Sequence, residues 1–358
     1  MRPFPLQTHL LTWYDSRTRE MPWRNHPDPY AVWVSEIMLQ QTQVETVKGY
    51  FTRFMAAFPT LAQLASAPQQ AVLKAWEGLG YYTRARNLQA AAQHIVAQGS
   101  VLPGTSGGWA QLPGVGPYTA AAIASICFGE ATPVVDGNVA RVFARYLGWP
   151  DDFRKPPARH KLAAWLLPFI RKSKRPGDFN QAMMDLGATC CTPRAPLCAG
   201  CPLRKNCFAH CEGKQAAFPV APKKKALPTR RMVAAYVAEP RGRILLTQRT
   251  DGKLLQGLWE LPALAITGKP SPRDALRALH EKTGLHAASA KRHGTIEHTF
   301  SHFKLELTVY AAANVSGTLD TKRHPNARFA HAQSRPLTTA TRQAIRLVRQ
   351  EAPATQKQ

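Results

Sequence analysis

The sequence predicts a mainly α-helical first domain, built around a glycine hairpin and a cysteine loop, and an α+β second domain. Three observations carry this. From about residue 5 to residue 210, apolar residues recur at three- and four-residue spacing, and the runs end at Gly or break at Pro, as in TLAQLASAPQQAVLKAWEGLG and RARNLQAAAQHIVAQGS. Residues 212–229 are rich in Pro, Ala and Lys and read as a linker. Beyond them the text shortens into strand-like runs around Pro/Gly turns. The 358 residues, 44% hydrophobic, suffice for two domains with cores of their own.

Taken in order, the N-terminus MRPFPLQTHLLTWYDSRTRE lacks an apolar run of signal-peptide length, and no later run could span a bilayer. A cytoplasmic chain is the expectation. Structural disulfides are disfavoured there, so clustered cysteines read as metal ligands. VWVSEIMLQQTQV sets Glu36 among apolar residues. A carboxylate so placed is either a satisfied structural group or an acid with a raised pKa. In LPGVGPYTAAAIASICFG, Gly114 and Gly116 flank Val115 just ahead of a helix. The glycines allow a tight turn with exposed N–H groups, and the helix N-terminus adds partial positive charge, so the loop suits a phosphate. Asp136 in TPVVDGNVARVFARYLG stands at a helix start, where it could be an N-cap worth about 1 kcal/mol or a functional carboxylate. CCTPRAPLCAGCPLRKNC, residues 190–207, concentrates five of the seven cysteines, a set that could bind zinc or an iron–sulfur cluster.

In the second domain RMVAAYVAEPRGRILLTQR reads as two strands around a turn and HFKLELTVYAAAN as another. SPRDALRALHEKTG reads as a helix starting at Ser271 or Pro272 and ending at Gly284. The last residues, 349–358, read as a flexible tail. The net charge is +25, with +9 over residues 1–212 and +16 over 213–358. So large an excess in both parts points to a polyanion, nucleic acid ahead of an acidic membrane surface.

LPGVG, PVVDGN and the Cys-x6-Cys-x2-Cys-x5-Cys spacing together resemble the helix-hairpin-helix DNA glycosylases that carry an iron–sulfur cluster. MPWR, SEIMLQQTQV, GLGYYTRARNL, FNQAMMDLGATC and HTFSHF are similar to adenine DNA glycosylases of the MutY family, over a stretch from about Trp13 to about Val348. Where the related endonuclease III has a nucleophilic lysine, two residues after the second hairpin glycine, this chain has Tyr118, so no Schiff base can form there. Ala140 stands where some relatives have a lysine four residues past the aspartate.

The resemblance implies a helix-hairpin-helix glycosylase domain over 1–211, with a [4Fe–4S] cluster held by Cys191, Cys198, Cys201 and Cys207, then the linker and a Nudix-like domain over 230–348 that reads 8-oxoguanine. It implies hydrolytic removal of adenine paired with 8-oxoguanine or guanine in double-stranded DNA, by a monomer in the nucleoid-associated cytoplasm and away from membranes. Glu36 is the implied general acid, Asp136 the stabilising carboxylate, and Tyr118 and Asn138 their positioning neighbours. Trp23, Arg24, Leu39, Gln181 and Asp185 match adenine-pocket positions. Gln41 and Tyr82 match side chains inserted beside the lesion, with Arg84 on the same face. Gly114, Val115 and Gly116 form the phosphate-binding hairpin, and Phe300, Ser301 and His302 the 8-oxoguanine loop. The Nudix helix retains Glu281 but has Ala278 and Lys282 where a catalytic Nudix helix carries magnesium-binding glutamates, so no pyrophosphatase activity is expected. Two other readings fit less well: a non-catalytic DNA-damage sensor, disfavoured by the intact Glu36 and Asp136, and a nucleotide pyrophosphatase with a fused DNA-binding domain, disfavoured by that helix.

Overall fold

The computed structural model describes residues 6–17, 19–24, 26, 28–220, 226–250, 252 and 254–351. Residues 221–225 of the expected linker and 352–358 of the expected tail lie outside them. The described helices are α1 Leu6–Asp15, α2 Pro29–Leu39, α3 Val44–Ala57, α4 Leu61–Ser66, α5 Gln69–Ala75, α6 Thr83–Ala97, α7 Ser106–Trp109, α8 Pro117–Phe128, α9 Gly137–Leu147, α10 Pro156–Arg171, α11 Pro176–Asp185, α12 Phe208–Cys211, α13 Pro272–Thr283 and α14 Thr339–Glu351. The strands are β1 Thr229–Tyr236, β2 Ile244–Gln248, β3 Trp259–Glu260, β4 Ala263–Ile266, β5 His286–Thr299, β6 Lys304–Ser316 and β7 Ala327–Ala330. None of the described helices is long and apolar enough to cross a membrane.

The chain divides into two compact units. One joins Met1–Ser66 to Asn87–Lys223, and the other joins Ala67–Arg86 to Lys224–Gln358.

In the first unit α2 and α8 are apolar on nearly every side, and residues 30–38 of α2 are buried without a break. A helix without a polar face must sit at the centre. Further core gathers on α9 and α11, around Val139, Phe143, Phe179 and Met183. Residues 186–190 follow α11 as one wide π turn, a local irregularity that tends to mark functional sites. Residues 215 and 218, at the start of the expected linker, are tied to this unit, because the Arg145 guanidinium donates to both carbonyls at 2.9 and 3.0 Å.

The second unit holds two sheets, ordered β4-β1-β6-β5 and β3-β2-β7. β1 runs parallel to β6 and antiparallel to β4, while β5 and β6 form a long antiparallel hairpin. Alternation along β1 explains its place: Ala234 and Tyr236 join one core with Ile244, Leu307 and Ile345, while Val233 and Ala235 join the Ala275 and Leu279 side chains of α13. The expected helix is found with Ser271 as N-cap of a complete capping box and Gly284 left-handed at its end. β5 and α14 escape the sequence reading. β5 spreads its apolar residues thinly through KRHGTIEHT, and α14 extends to Glu351, past the residue 349 expected to open the tail.

Candidate active site

A cavity of about 150 Å3 opens in the first unit. Its walls bring together Trp23, Arg24, Glu36, Leu39, Tyr118, Asp136, Asn138, Gln181 and Asp185, residues expected at the site and scattered over 160 positions of chain. Each comes from a different local cause. Glu36 projects from the third turn of buried α2, where it is only 5% exposed. Tyr118 sits in the first turn of α8, just after the hairpin, and its hydroxyl donates to Glu36 Oε2 at 3.2 Å. Asp136 ends the irregular segment 129–136 and caps α9. Its Oδ1 accepts from the Val139 amide at 2.7 Å and its Oδ2 from Asn138 Nδ2 at 3.0 Å.

Burial disfavours the charged form of both carboxylates, but their surroundings differ. Glu36 is pushed up to about 7, chiefly by desolvation and further by nearby Asp136, against the Tyr118 hydrogen bond and Arg24, which favour ionisation. Asp136 is also raised by desolvation, but the Val139 amide, the Asn138 bonds and the Arg141 charge all favour its ionised form. The Tyr118 phenol is driven well above its usual range by burial and both carboxylates, so it stays protonated and can donate to the ionised form of Glu36. One group can therefore hold a proton near neutral pH while its neighbour is built to carry charge.

The opposite wall is a buried ion pair. Arg24 reaches Asp185 at 2.7 Å and donates to Gln181 at 3.2 Å, and its guanidinium stacks over Tyr14 at 5.4 Å. The network fixes planar donors and acceptors in a dry wall, the arrangement that orients a flat polar ligand.

The hairpin forms as expected. Gly114 is left-handed (φ +76°), and a Cβ there would stand 2.6 Å from Asn87 Cβ. Gly116 caps α8 and is exposed, leaving the helix N-terminus open to an anion. Val115 differs from its neighbours: its side chain is buried and its amide donates to Leu112, so it builds the turn and faces no ligand. Gln41, just beyond α2, is exposed and left-handed at φ +57°, a costly conformation for a side chain with a Cβ.

Two expectations need correction. Tyr82 cannot insert beside a base pair, because it is 3% exposed and its hydroxyl accepts from the Gly78 amide at 3.0 Å. The exposed ring is Tyr81, at 47% and φ +49°. The dipeptide YY gave no means of choosing between them. Arg84 is not a free phosphate ligand either. Its guanidinium binds the carbonyls of Leu79 and Gly80 and packs over Trp76 and Tyr81, and burial pulls its pKa down to about 10.

In the second unit Ser301 and His302 are exposed at the tip of the β5–β6 hairpin. Phe300 is turned back and stacks on Phe303 with centroids 4.5 Å apart. The Tyr81 and Ser301 hydroxyls lie 2.7 Å apart, so the exposed tyrosine and the hairpin tip share one surface of this unit. On α13, Ala278 is fully buried and Lys282 is exposed, while Glu281 lies 3.8 Å from Arg277.

Cys191, Cys198, Cys201 and Cys207 line one small cavity of about 20 Å3 together with Cys190 and Arg145. Among the described residues, no three His, Cys, Asp or Glu side chains stand in metal-holding geometry. The donor set nonetheless fits an anionic cluster. Arg145 is 2% exposed, and its described hydrogen bonds go to five backbone carbonyls and to Cys191 Sγ at 3.3 Å, none to a carboxylate. A buried cation so placed calls for negative charge in the cavity. Cys190 differs from the four: it belongs to the α9–α11 core, and its thiol donates to the Leu197 carbonyl. Sequence reading also missed Arg141, whose guanidinium joins the Cys191 and Gly187 carbonyls to Asn138 Oδ1. Its only signal was a position one turn into α9.

Comparison with known proteins gives two family matches. The HhH-GPD superfamily of base excision DNA repair proteins matches residues 34–168, and the NUDIX domain matches residues 233–347. The chain is 38% identical to human adenine DNA glycosylase over 97% of its own length and 74% of that protein's. It is 34% identical to the adenine DNA glycosylase of Schizosaccharomyces pombe, covering 85% of the chain and 80% of that protein. Among solved structures, a thermostable thymine-DNA glycosylase superposes on 57% of the chain and 94% of its own, with a TM-score of 0.52 and 28% identity. An endonuclease III in complex with DNA shares the fold of the same region, with a TM-score of 0.50 and 20% identity over 58% of the chain and 96% of its own. The architecture is a helix-hairpin-helix glycosylase unit followed by a Nudix-like one.

Proposed function

The chain belongs to the adenine DNA glycosylases, hydrolases of N-glycosyl bonds in base excision repair, and from that premise we propose that it removes adenine opposite 8-oxoguanine or guanine in double-stranded DNA. The observation that carries this reading is the placement of Glu36 and Asp136 on one small cavity, both raised by burial but only Asp136 held by an amide, an asparagine and a nearby arginine that favour its charge.

The N-glycosyl bond of a stacked adenine is out of reach, so the nucleotide leaves the duplex and its base enters the cavity. Protonated Glu36 gives its proton to adenine N7. The C1′–N9 bond then breaks with its electron pair going to N9, and the base departs neutral. Ionised Asp136 faces the cationic sugar and stabilises it, either as an ion pair or by transient bonding at C1′. Water adds at C1′ and surrenders a proton to a carboxylate. Trp23, Leu39 and the Arg24–Asp185–Gln181 wall hold the base flat. Tyr118 and Asn138 orient the two carboxylates. Gln41 fills the space the base leaves, the exposed Tyr81 ring offers a stacking face, and Gly114 and Gly116 open the hairpin to a phosphate.

Residues 230–348 act as the reader, with Ser301 and His302 at the lesion and Phe300 as the support beneath them. Cys191, Cys198, Cys201 and Cys207 would hold a [4Fe–4S] cluster, which supplies loop rigidity to a reaction that transfers no electron. The loop it shapes presents Arg194, Arg204 and Lys205 to phosphate. The chain would act as a cytoplasmic, nucleoid-associated monomer.

A duplex carrying adenine opposite 8-oxoguanine tests the reading. Glu36→Gln should retain binding and lose adenine release by about 100-fold or more, the scale of general acid catalysis. Release at the wild-type rate would overturn the assignment of Glu36.

A further inference from the structure

Asp136 is fixed from its C-terminal side by the cap it makes on α9. On its N-terminal side, residues 129–136 belong to no helix or strand, yet Val134 is fully buried. Buried backbone without a ladder partner must find hydrogen bonds elsewhere. Pro133 offers no N–H, and the groups on either side of it are the Thr132 carbonyl and the Val134 amide.

Both are met by one side chain. Asn180 on α11 is 0% exposed. Its Oδ1 accepts from the Val134 amide at 3.1 Å, and its Nδ2 donates to the Thr132 carbonyl at 2.9 Å. A side-chain amide that pairs with the N–H of one residue and the C=O of the residue two before it does what a neighbouring strand would do. Its second amide hydrogen goes to Ser125 Oγ on α8 at 2.8 Å, which anchors the pairing to the central helix.

The approach depends on Gly177, one turn earlier on the same face of α11. A Cβ there would stand 2.7 Å from the Ser125 carbonyl oxygen and 2.8 Å from Ile126 Cα. Without a side chain at 177, α11 lies close enough to α8 for Asn180 to reach the segment.

We propose that Asn180 is a positioning residue for Asp136, a one-residue substitute for a strand that sets where the carboxylate stands. This rests on the reading of Asp136 as the group that stabilises the sugar cation. The chemistry favours positioning over mere stability, because the bonds end two residues from Asp136, and displacement of a catalytic group by about 1 Å costs about 100-fold in rate.

The test uses the full-length, cluster-loaded enzyme under single-turnover conditions, with active sites counted by burst amplitude. Asn180→Asp is isosteric and keeps the bond from Val134, but with at most one hydrogen to give it cannot serve both the Thr132 carbonyl and Ser125 Oγ. The rate of adenine release per active site should fall about 10- to 100-fold, while affinity for a duplex with an uncleavable adenine nucleotide is unchanged. Asn180→Ser, too short to bridge, should show the same split and serves if the aspartate variant does not fold. A structural role alone would lower the melting temperature and the active fraction but leave the rate per site at the wild-type level, and that result would overturn the proposal. Asp136→Asn is run beside them. If it releases adenine at the wild-type rate, the reading of Asp136 fails. If it is inactive while both Asn180 variants run at full rate, only the positioning proposal fails.

Discussion

Glu36 holds its proton to about pH 7 because α2 carries it into the interior, where the ionised form has lost its water. As an acid it must be protonated, so release should run at full rate below pH 7 and fall about tenfold per unit above it. The Tyr118 hydroxyl favours the ionised form, and Tyr118→Phe should move that alkaline limb to higher pH; a limb that moves down in single-turnover pH profiles would contradict this. The same shift governs stability. Below the unfolded value of 4.5, folded and unfolded states both carry the proton; above it the unfolded state releases its proton first, and stability declines until pH passes 7. Between those two values the loss amounts to about 3 kcal/mol. Glu36→Gln should therefore melt higher than the parent at pH 8, with the difference shrinking towards pH 4.5. The expectation of a raised pKa was legible from one carboxylate in an apolar run. The choice between Tyr81 and Tyr82 was not legible, since adjacent tyrosines read alike and only folding buries one of them.

At the scale of elements, the site is made by helix ends. Gly116 opens α8, Asp136 opens α9, and α11 runs into the π turn at residues 186–190. Gly187 in that turn lets α9 close on it, for a Cβ there would lie 2.6 Å from Asn138 Cβ and 2.9 Å from the Asn138 carbonyl oxygen. Gly187→Ala should push the first turn of α9 away, costing about 1–3 kcal/mol in thermal unfolding and loosening the Asn138–Asp136 bond. The accompanying drop in single-turnover release should be about 10-fold or more, and an unaltered rate would show that the turn leaves Asp136 where it is. Caps and hairpins were readable because their residues signal locally: Ser271 and Gly284 bracket α13 as expected. The π turn and β5 were not. The first is imposed by packing against α9, and the second owes its existence to pairing with β6.

Across the whole molecule the proposed roles fall on different units. The cavity with Glu36 and Asp136 lies wholly in the first unit, and the Ser301–His302 tip lies in the second. Exchanging both tip residues in Ser301→Ala with His302→Ala should narrow the preference for 8-oxoguanine over guanine while sparing the rate on the better substrate; competition between the two duplexes measures it, and an unchanged ratio would remove the reader role. The division does not follow chain order. Residues 67–86, read as one stretch with the first helices, belong to the second unit, where Trp259 Nε1 donates to Gln70 at 2.8 Å and Glu77 accepts from the Leu337 amide at 2.8 Å.

The amino-acid order alone determined the two classes of structure, the hairpin and the cysteine spacing, which depend on short-range periodicity and on motifs whose members are near neighbours. Most residues around the cavity were named by the resemblance to a family, since nothing local joins positions so far apart. Only the tertiary structure decided which tyrosine faces out, that Arg84 is spent on its own turn, that Arg145 is a buried cation beside the thiols, and that Asn180 holds the segment leading to Asp136. Those facts concern burial and pairing between residues tens of positions apart. A local pattern cannot encode them, because what fixes such a side chain is the partner that folding brings to it.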